Sequence, residues 1–267
     1  MPEGHTLHRL ARLHQRRYGG APVRVSSPQG KFTEASAVDG QVLVKAEAHG
    51  KHLFHHYEPG TVHIHLGLYG TFSEAKLPAL PPVGQVRMRL IGSTHWTDLR
   101  GPNRCELLMP DQVDAIKARL GPDPLRRDAR PERAFERISA SRTSLAALLM
   151  DQSVLAGVGN VYRAEVLFRH GINPMLPGRS LDPVQWKEIW DDLVVLMRAG
   201  VRSGRIDTVA DEHLPEVTGR APRQDRHGGE VYVYRRTGQP CLVCGTPVAH
   251  KELAGRNLYW CPVCQPA

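Results

Sequence analysis

The sequence predicts an α+β protein: an N-terminal β-sandwich with flanking helices, then a helical region, then a small cysteine-bearing hairpin. Three observations lead there. Short apolar runs broken by Gly and Pro occupy 23–108, helical periodicity dominates 111–199, and four of the five cysteines fall in the last 27 residues. The boundaries implied are 1–112, 113–229 and 230–267.

Each element follows from local pattern. In 4–18, Leu7, Leu10, Ala11 and Leu13 recur at helical spacing with Arg and His on the other side, and Thr6 or Gly4 can cap the start. Segments 41–46, 52–57, 62–68, 86–90 and 106–109 read as strands. Alternation in 62–68 is strict, which predicts one buried and one wet face. Helical character resumes over 111–120 and breaks at Gly121-Pro122-Asp123-Pro124. A helix over 144–155 (Leu145, Leu148, Leu149, Gln152), a turn at 157–160, and helices over 161–170 and 183–199 follow. Residues 203–229 carry few large apolar groups and read as a mobile loop. No internal repeat is present.

Composition narrows the class. Apolar residues make up 41% and charged residues 23%, enough for a core and unlike a disordered or collagen-like chain. No apolar stretch reaches the ~18 residues of a membrane span. The start, Met1-Pro2-Glu3-Gly4-His5-Thr6, lacks the basic residues and apolar run of a signal peptide. A cytoplasmic protein with no membrane partner is expected. The formal charge of +8 is weighted to arginine, with only seven lysines, and such a surface suits phosphate.

Cys241-x2-Cys244 and Cys261-x2-Cys264 form two pairs whose spacing fits a tetrahedral thiolate zinc site. Two disulfides are the alternative, disfavoured in a reducing compartment. Cys105 stands apart and reads as a small buried hydrophobe.

The turn Gly157-Val158-Gly159-Asn160 joins two helices. Its glycines allow close backbone approach, and the second helix offers free N–H groups and the positive end of its dipole to a phosphate. Asn160 reads equally as an N-cap. At the other end, loss of Met1 would free Pro2 as a secondary amine with a pKa near ~8, able to attack an aldehyde-type carbon and form an iminium. Glu3 could shuttle protons there. Taken alone, proline and glutamate at a helix start are ordinary.

Taken together, these motifs resemble the formamidopyrimidine-DNA glycosylase and endonuclease VIII family of base-excision repair enzymes. The resemblance runs over essentially the whole chain. It rests on Pro2-Glu3-Gly4, Gly50-Lys51-His52-Leu53, His65-Leu66-Gly67-Leu68-Tyr69-Gly70 and Leu120-Gly121-Pro122-Asp123-Pro124-Leu125. It continues through Leu149-Met150-Asp151-Gln152, Gly157-Val158-Gly159-Asn160-Val161-Tyr162 and the cysteine module with Gly255-Arg256.

The resemblance implies a helix–two-turn–helix domain in the middle of the chain and a zinc-finger hairpin at its end. It implies Pro2 as nucleophile at the sugar C1′, Glu3 as proton shuttle in ring opening, and Lys51 at a phosphate beside the lesion. Gly159 and Asn160 would hold phosphate, Arg119 matches a DNA-contacting arginine, and Arg256 would grip the flanking phosphate during the second elimination. Extruding a base costs a few kcal/mol of unstacking, and a wedge must fill the gap. Leu68 and Tyr69 resemble the endonuclease VIII wedge, although Leu68 also continues the buried alternation of Val62, Ile64 and Leu66. Zinc supplies the stability that about 30 residues cannot reach alone.

The chain departs from the pattern in places. Gly67 replaces a wedge position often occupied by Gln, and His5 and Thr6 stand where an acidic residue is often found. Asp98-Leu99-Arg100-Gly101-Pro102-Asn103 replaces the Asp-x-Arg-Arg-Phe-Gly loop of the formamidopyrimidine branch, which favours oxidised pyrimidines over 8-oxoguanine. Arg100 could still enter the void. His49, His52, His55, His56, His63 and His65 crowd into 17 residues. A second metal site, with His63-x-His65 on one strand face, is the alternative; they read as solvated or phosphate-facing. The expected protein is a monomeric glycosylase and abasic-site lyase of the bacterial cytoplasm. It would act on double-stranded DNA carrying an oxidised base or abasic site by β,δ-elimination, with one structural zinc as sole cofactor. The rival is a non-catalytic binder of damaged or single-stranded DNA on the same fold.

Overall fold

The computed structural model describes residues 2–224 and 229–267. The chain forms two compact units, 1–119 and 120–267. Part of the 203–229 segment, residues 225–228, lies outside the described residues, as does Met1.

The first unit contains α1 (Gly4–Tyr18), β1 (Arg24–Ser26), α2 (Ala35–Val38), β2 (Lys45–His49), β3 (His52–Tyr57) and β4 (Gly60–His65). It continues with β5 (Thr71–Lys76), β6 (Val86–Ile91), β7 (His95–Arg100), β8 (Arg104–Leu108) and α3 (Pro110–Ala118). Two antiparallel sheets, ordered β1-β6-β7-β5 and β2-β3-β4-β8, make the sandwich. Val25, Met88, Leu90 and Leu99 from one sheet and Ala46, Leu53, Val62 and Ile64 from the other share a single core with Leu7, Ala11 and Tyr18 of α1. The boundary expected at 112/113 falls inside α3. Val113 of that helix buries against Phe54 and Leu108, so α3 belongs to the first unit.

Two expectations about faces need correction. The histidines of α1 do not all point outward: His5 and His14 are buried, and His14 Nδ1 bonds His55 Nε2 at 3.0 Å inside the unit. Nor does β4 have a wet face. α3 lies over that side, and His63 is 3% exposed.

The second unit contains α4 (Pro131–Ser139), α5 (Leu145–Leu148), α6 (Asn160–Arg169), α7 (Pro183–Ser203), α8 (Pro215–Thr218), β9 (Ala249–Leu253) and β10 (Arg256–Trp260). Short 3₁₀ turns fall at Gly178–Ser180 and Asp211–His213. The helix expected over 144–155 stops after one turn. Asp151 Oδ1 accepts from both the amide and hydroxyl of Ser153, and the Gln152 amide donates to the carbonyls of Met150 and Val158 while accepting from Gly157 N. These side chains offer the backbone partners that a helix would deny it. By contrast α7 has every stop and start signal. Asp182 caps Val184 N and Gln185 N, Pro183 follows, and Gly204 closes the helix at φ +81°. Among the described residues no helix is long and apolar enough to cross a membrane.

One buried group organises this unit. Glu165, on α6 and fully buried, accepts from the amides of Tyr232, Val233 and Tyr234 at 2.7, 2.9 and 2.9 Å and from the Thr208 hydroxyl at 2.5 Å. Glu165→Ala strands those donors without water to replace the carboxylate, so the unit should lose about 3 kcal/mol or more in urea denaturation. A loss under about 1 kcal/mol would show that the 232–234 segment is held by packing instead.

Candidate functional site

In the first unit the residues singled out by sequence, Arg100 apart, gather at one end of the β2-β3-β4-β8 sheet. Helix α1 runs antiparallel to β2. Gly19 bridges Leu43, and Gln15 Oε1 accepts from Ala46 N at 2.6 Å. Counting back from that common level, Gln15 to Pro2 spans roughly 20 Å of helical rise, and Ala46 to Lys51 spans roughly 16 Å of strand. The head of α1 therefore reaches the level of the Gly50–Lys51 turn. Pro2 is half-buried there and Glu3 is fully buried, its carbonyl accepting from Thr6 N at 2.9 Å.

Cross-strand register places His49, His52, His65 and Arg104 in one row at the same end. Burial first, then His63, Lys51 and Arg104, lower the pKa of His65, which puts the Lys51 charge beside this row. Arg119, which follows α3, adds its charge near His52. The turn after β4 carries Leu68 at 44% exposure and Tyr69 at 83%. Leu66 ends the buried alternation, so Leu68 is a surface group and not core. Gly67 sits at φ +66°, a backbone that disfavours any other residue, with the tip of the Asn103 side chain where a Cβ would stand.

Arg100 is not directed outward. Its guanidinium donates to Asp98 Oδ2 (2.9 Å), Ser73 Oγ (2.5 Å) and the Val83 carbonyl (3.1 Å), while Asp98 is also held bidentately by Arg89. Each of its three nitrogens has a partner on the sheet or on the β5–β6 loop.

In the second unit, Gly159 is the N-cap of α6 and Asn160 its first residue. Asn160 is nearly buried, and its amide donates to the Asn257 carbonyl at 2.9 Å. Arg163, 1% exposed, bonds Asn160 Oδ1 and also reaches the carbonyls of Asn257 (3.2 Å) and Ala146 (3.3 Å). The helix head is thereby tied to the β9–β10 hairpin one residue from Arg256, which is exposed. Sequence reasoning misses Arg163; its one signal is a charge, like that of Glu165, set among the buried apolar residues of α6. The hairpin turn is Ala254–Gly255, with φ of +49° and +70°, and Leu253 faces Arg256 across it. Two positive φ values are the requirement of a type I′ turn, and Arg256 opens the returning strand instead of sitting in the turn.

The sulfurs of Cys241, Cys244, Cys261 and Cys264 all lie within 4.8 Å of one another, with Cys241–Cys264 at 3.8 Å and Cys244–Cys261 at 3.4 Å. A tetrahedral zinc with bonds of ~2.3 Å separates its sulfurs by ~3.8 Å, so the set fits that ion. Gln265, buried, accepts from Cys261 N (3.0 Å) and donates to the Ile172 carbonyl (2.8 Å), anchoring the module to the segment after α6. Among the described residues this is the one cluster suited to a metal; the strand histidines do not form another.

Three family models match the chain: the formamidopyrimidine-DNA glycosylase N-terminal domain over residues 1–105, the H2TH domain of the same glycosylase over 120–211, and a zinc finger found in FPG and IleRS over 238–267. Endonuclease 8 1 of Mycobacterium tuberculosis is 57% identical over 271 residues, covering 99% of this chain and 100% of the relative. A formamidopyrimidine-DNA glycosylase of Synechococcus is 32% identical, covering 78% of this chain and 74% of its own length. Among solved structures, the Thermus thermophilus MutM (FPG) protein superposes with TM-score 0.76 at 27% identity, covering 99% of this chain and 98% of that one. The Lactococcus lactis glycosylase bound to DNA containing an AP site gives 0.78 at 21% identity, covering 99% and 100%, a likeness of fold. The cysteine module holds one structural zinc.

Proposed function

The chain belongs to the formamidopyrimidine-DNA glycosylase and endonuclease VIII family, on the endonuclease VIII branch, and from that premise we propose that it excises oxidised pyrimidines and nicks the strand by β,δ-elimination through Pro2. It is a DNA glycosylase of base-excision repair, and DNA is its partner. The observation that carries the finer reading is the convergence of the α1 head, the Lys51 turn and the exposed Leu68–Tyr69 pair at one end of one sheet.

In this reading Met1 is removed and the Pro2 nitrogen attacks C1′. The C1′–N bond to the damaged base breaks and the base leaves with a proton; the C1′–O4′ bond then breaks, opening the sugar as the Pro2 nitrogen lone pair forms the iminium. Glu3 handles the proton at the sugar ring oxygen. The cationic iminium accepts the electron pair released when a C2′ proton departs, and the 3′ phosphate leaves; a second elimination releases the 5′ phosphate. Lys51, Arg119, Gly159, Asn160 and Arg256 hold phosphates of the damaged strand, and Leu68 and Tyr69 fill the space the base vacates. Arg100 is left out of the wedge because each of its nitrogens is engaged by Asp98, Ser73 or Val83. A monomer acting on duplex DNA is the form proposed.

An excision panel tests this. Oligonucleotides carrying thymine glycol, 5-hydroxycytosine or 8-oxoguanine, each single- and double-stranded, should show the two pyrimidine lesions removed at least about tenfold faster than 8-oxoguanine. Products should end in 3′ phosphate. A preference for 8-oxoguanine, or products left with an unsaturated aldehyde, would overturn the lesion class or the second elimination respectively.

A further inference from the structure

The face of β3, β4 and β8 turned toward α3 carries a hydrogen-bonded chain that the reaction described above does not use. His63 Nδ1 lies 3.0 Å from Glu106 Oε1, and His63 Nε2 lies 2.8 Å from His52 Nδ1. The register explains the contacts. Phe54, His63 and Glu106 stand opposite one another, and His52 is two residues from Phe54 on the same side of β3. His52 and His63 also stack, with ring centroids 5.1 Å apart, and His63 stacks on Phe54 at 5.2 Å. The chain is therefore both bonded and packed.

The direction of the protons follows from chemistry. A carboxylate oxygen only accepts, so His63 must carry its hydrogen on Nδ1. A neutral His63 then has a bare Nε2, which only accepts, so His52 must carry its hydrogen on Nδ1 as well. That leaves Nε2 of His52 as a lone pair. Free histidine favours the opposite form, so the arrangement is imposed by Glu106 through His63.

We propose that Glu106 and His63 are positioning residues that lock His52 in its Nδ1–H form, so that the residue next to Lys51 meets the substrate as a hydrogen-bond acceptor and not as a phosphate donor. The inference rests on the lyase reading given above. It divides labour at the Lys51 end of the sheet: Lys51, Arg104 and Arg119 supply positive charge, and His52 supplies an acceptor for an O–H or N–H of the DNA or of a reacting water. Neutrality of the chain has independent support. Burial is the largest cause holding His52 down to about 3, with His63, His65, His49 and Arg119 adding to it. Burial likewise lowers His63 despite the opposing pull of Glu106.

The test uses full-length, zinc-loaded protein labelled with ¹⁵N-histidine, whose two-bond ¹H–¹⁵N correlations report the tautomer near neutral pH without DNA. His52 and His63 should both read Nδ1–H. Glu106→Ala should move His52 to Nε2–H, leave the His14 and His55 signals in place, and slow nicking of a preformed abasic site about tenfold while duplex affinity stays within about twofold. Glu106→Gln, whose amide oxygen still accepts from His63, should keep tautomer and rate. His52→Gln, which reaches the Nε2 position, should retain more activity than His52→Asn, which stops at Nδ1. A wild-type His52 in the Nε2–H form, or full nicking by Glu106→Ala, overturns the relay. Wild-type protein that fails to nick at all overturns the lyase reading, and the tautomer spectrum tells the two failures apart.

Discussion

Pro2→Gly protein, isolated with its initiator methionine removed, should lose covalent trapping on abasic-site DNA under borohydride by at least about a hundredfold while still binding the duplex. A secondary amine condenses with C1′ to an iminium that is cationic at any pH, whereas the primary amine of glycine gives an imine that must first be protonated. The pyrrolidine ring also ties the nitrogen to the side chain and limits its rotation about the N–Cα bond, a constraint glycine lacks. A second arm removes the chemistry altogether. Protein that retains Met1 presents Pro2 as an amide with no lone pair to donate, and should trap nothing. Mass spectrometry of the amino terminus sorts the two populations before the gel is run. Trapping by the methionine-retaining form would move the nucleophile elsewhere in the chain.

The second large effect is on stability. Acidification should unfold the first unit well above the pH at which its carboxylates titrate. Burial is the main cause that lowers His5 to about 4 and His14 and His52 to about 3, from an ordinary 6.5, and His55 is driven well below that value for the same reason. These groups are lowered in the folded state, so the unfolded chain binds more protons as pH falls. Their stabilisation is complete above about 6.5 and is lost progressively toward the folded values. His14 and His55 share one hydrogen bond and repel once charged, so we count them as one; with His5 and His52 that gives a slope of roughly 4 kcal/mol per pH unit, and about 6 kcal/mol is gone by pH 5, comparable with the whole stability of a domain. Glu47 reinforces the trend lower down. Hydrogen bonds from His56, Lys117 and Lys45 hold its carboxyl far below the usual range, against burial. Its contribution is present above about 4.5 and falls away beneath. Urea titrations followed by far-UV circular dichroism at pH 7.5, 6 and 5 measure the slope; a value under about 1 kcal/mol per unit would mean that these imidazoles are solvated or already charged.

That same histidine cluster marks how far sequence reasoning reaches. Helix α1 is legible because Leu7, Leu10 and Ala11 recur at helical spacing and pack on the core, and the zinc set is legible because thiolate geometry dictates local spacing. β5 is not: its pattern of Thr71-Phe72-Ser73-Glu74-Ala75-Lys76 is that of an exposed edge strand, with little apolar signal to find. β7 hides for the opposite reason. Asp98 is buried at its centre, and pairing with Arg89 on β6 and with Arg100 makes that tolerable. The Glu106–His63–His52 chain needs the register of three strands, which no local pattern encodes. The same holds for Arg163, whose partner carbonyl at Asn257 is 94 residues away. Catalytic candidates are visible where a family motif of adjacent residues marks them, as at Pro2-Glu3, and invisible where folding assembles the chemistry.

The clamp at Glu165 has a consequence for how this scaffold can change. Thr208 N donates to the Glu230 carbonyl at 2.9 Å, Glu230 N donates to Asp207, and Glu165 seizes the amides just beyond. Residues 207–208 and 229–230 therefore form a fixed stem. Lengthening a segment so anchored costs only about 0.6 kcal/mol per doubling. Evolution or an engineer could exchange it as a cassette, varying what the second unit presents while the helices and zinc module keep their places.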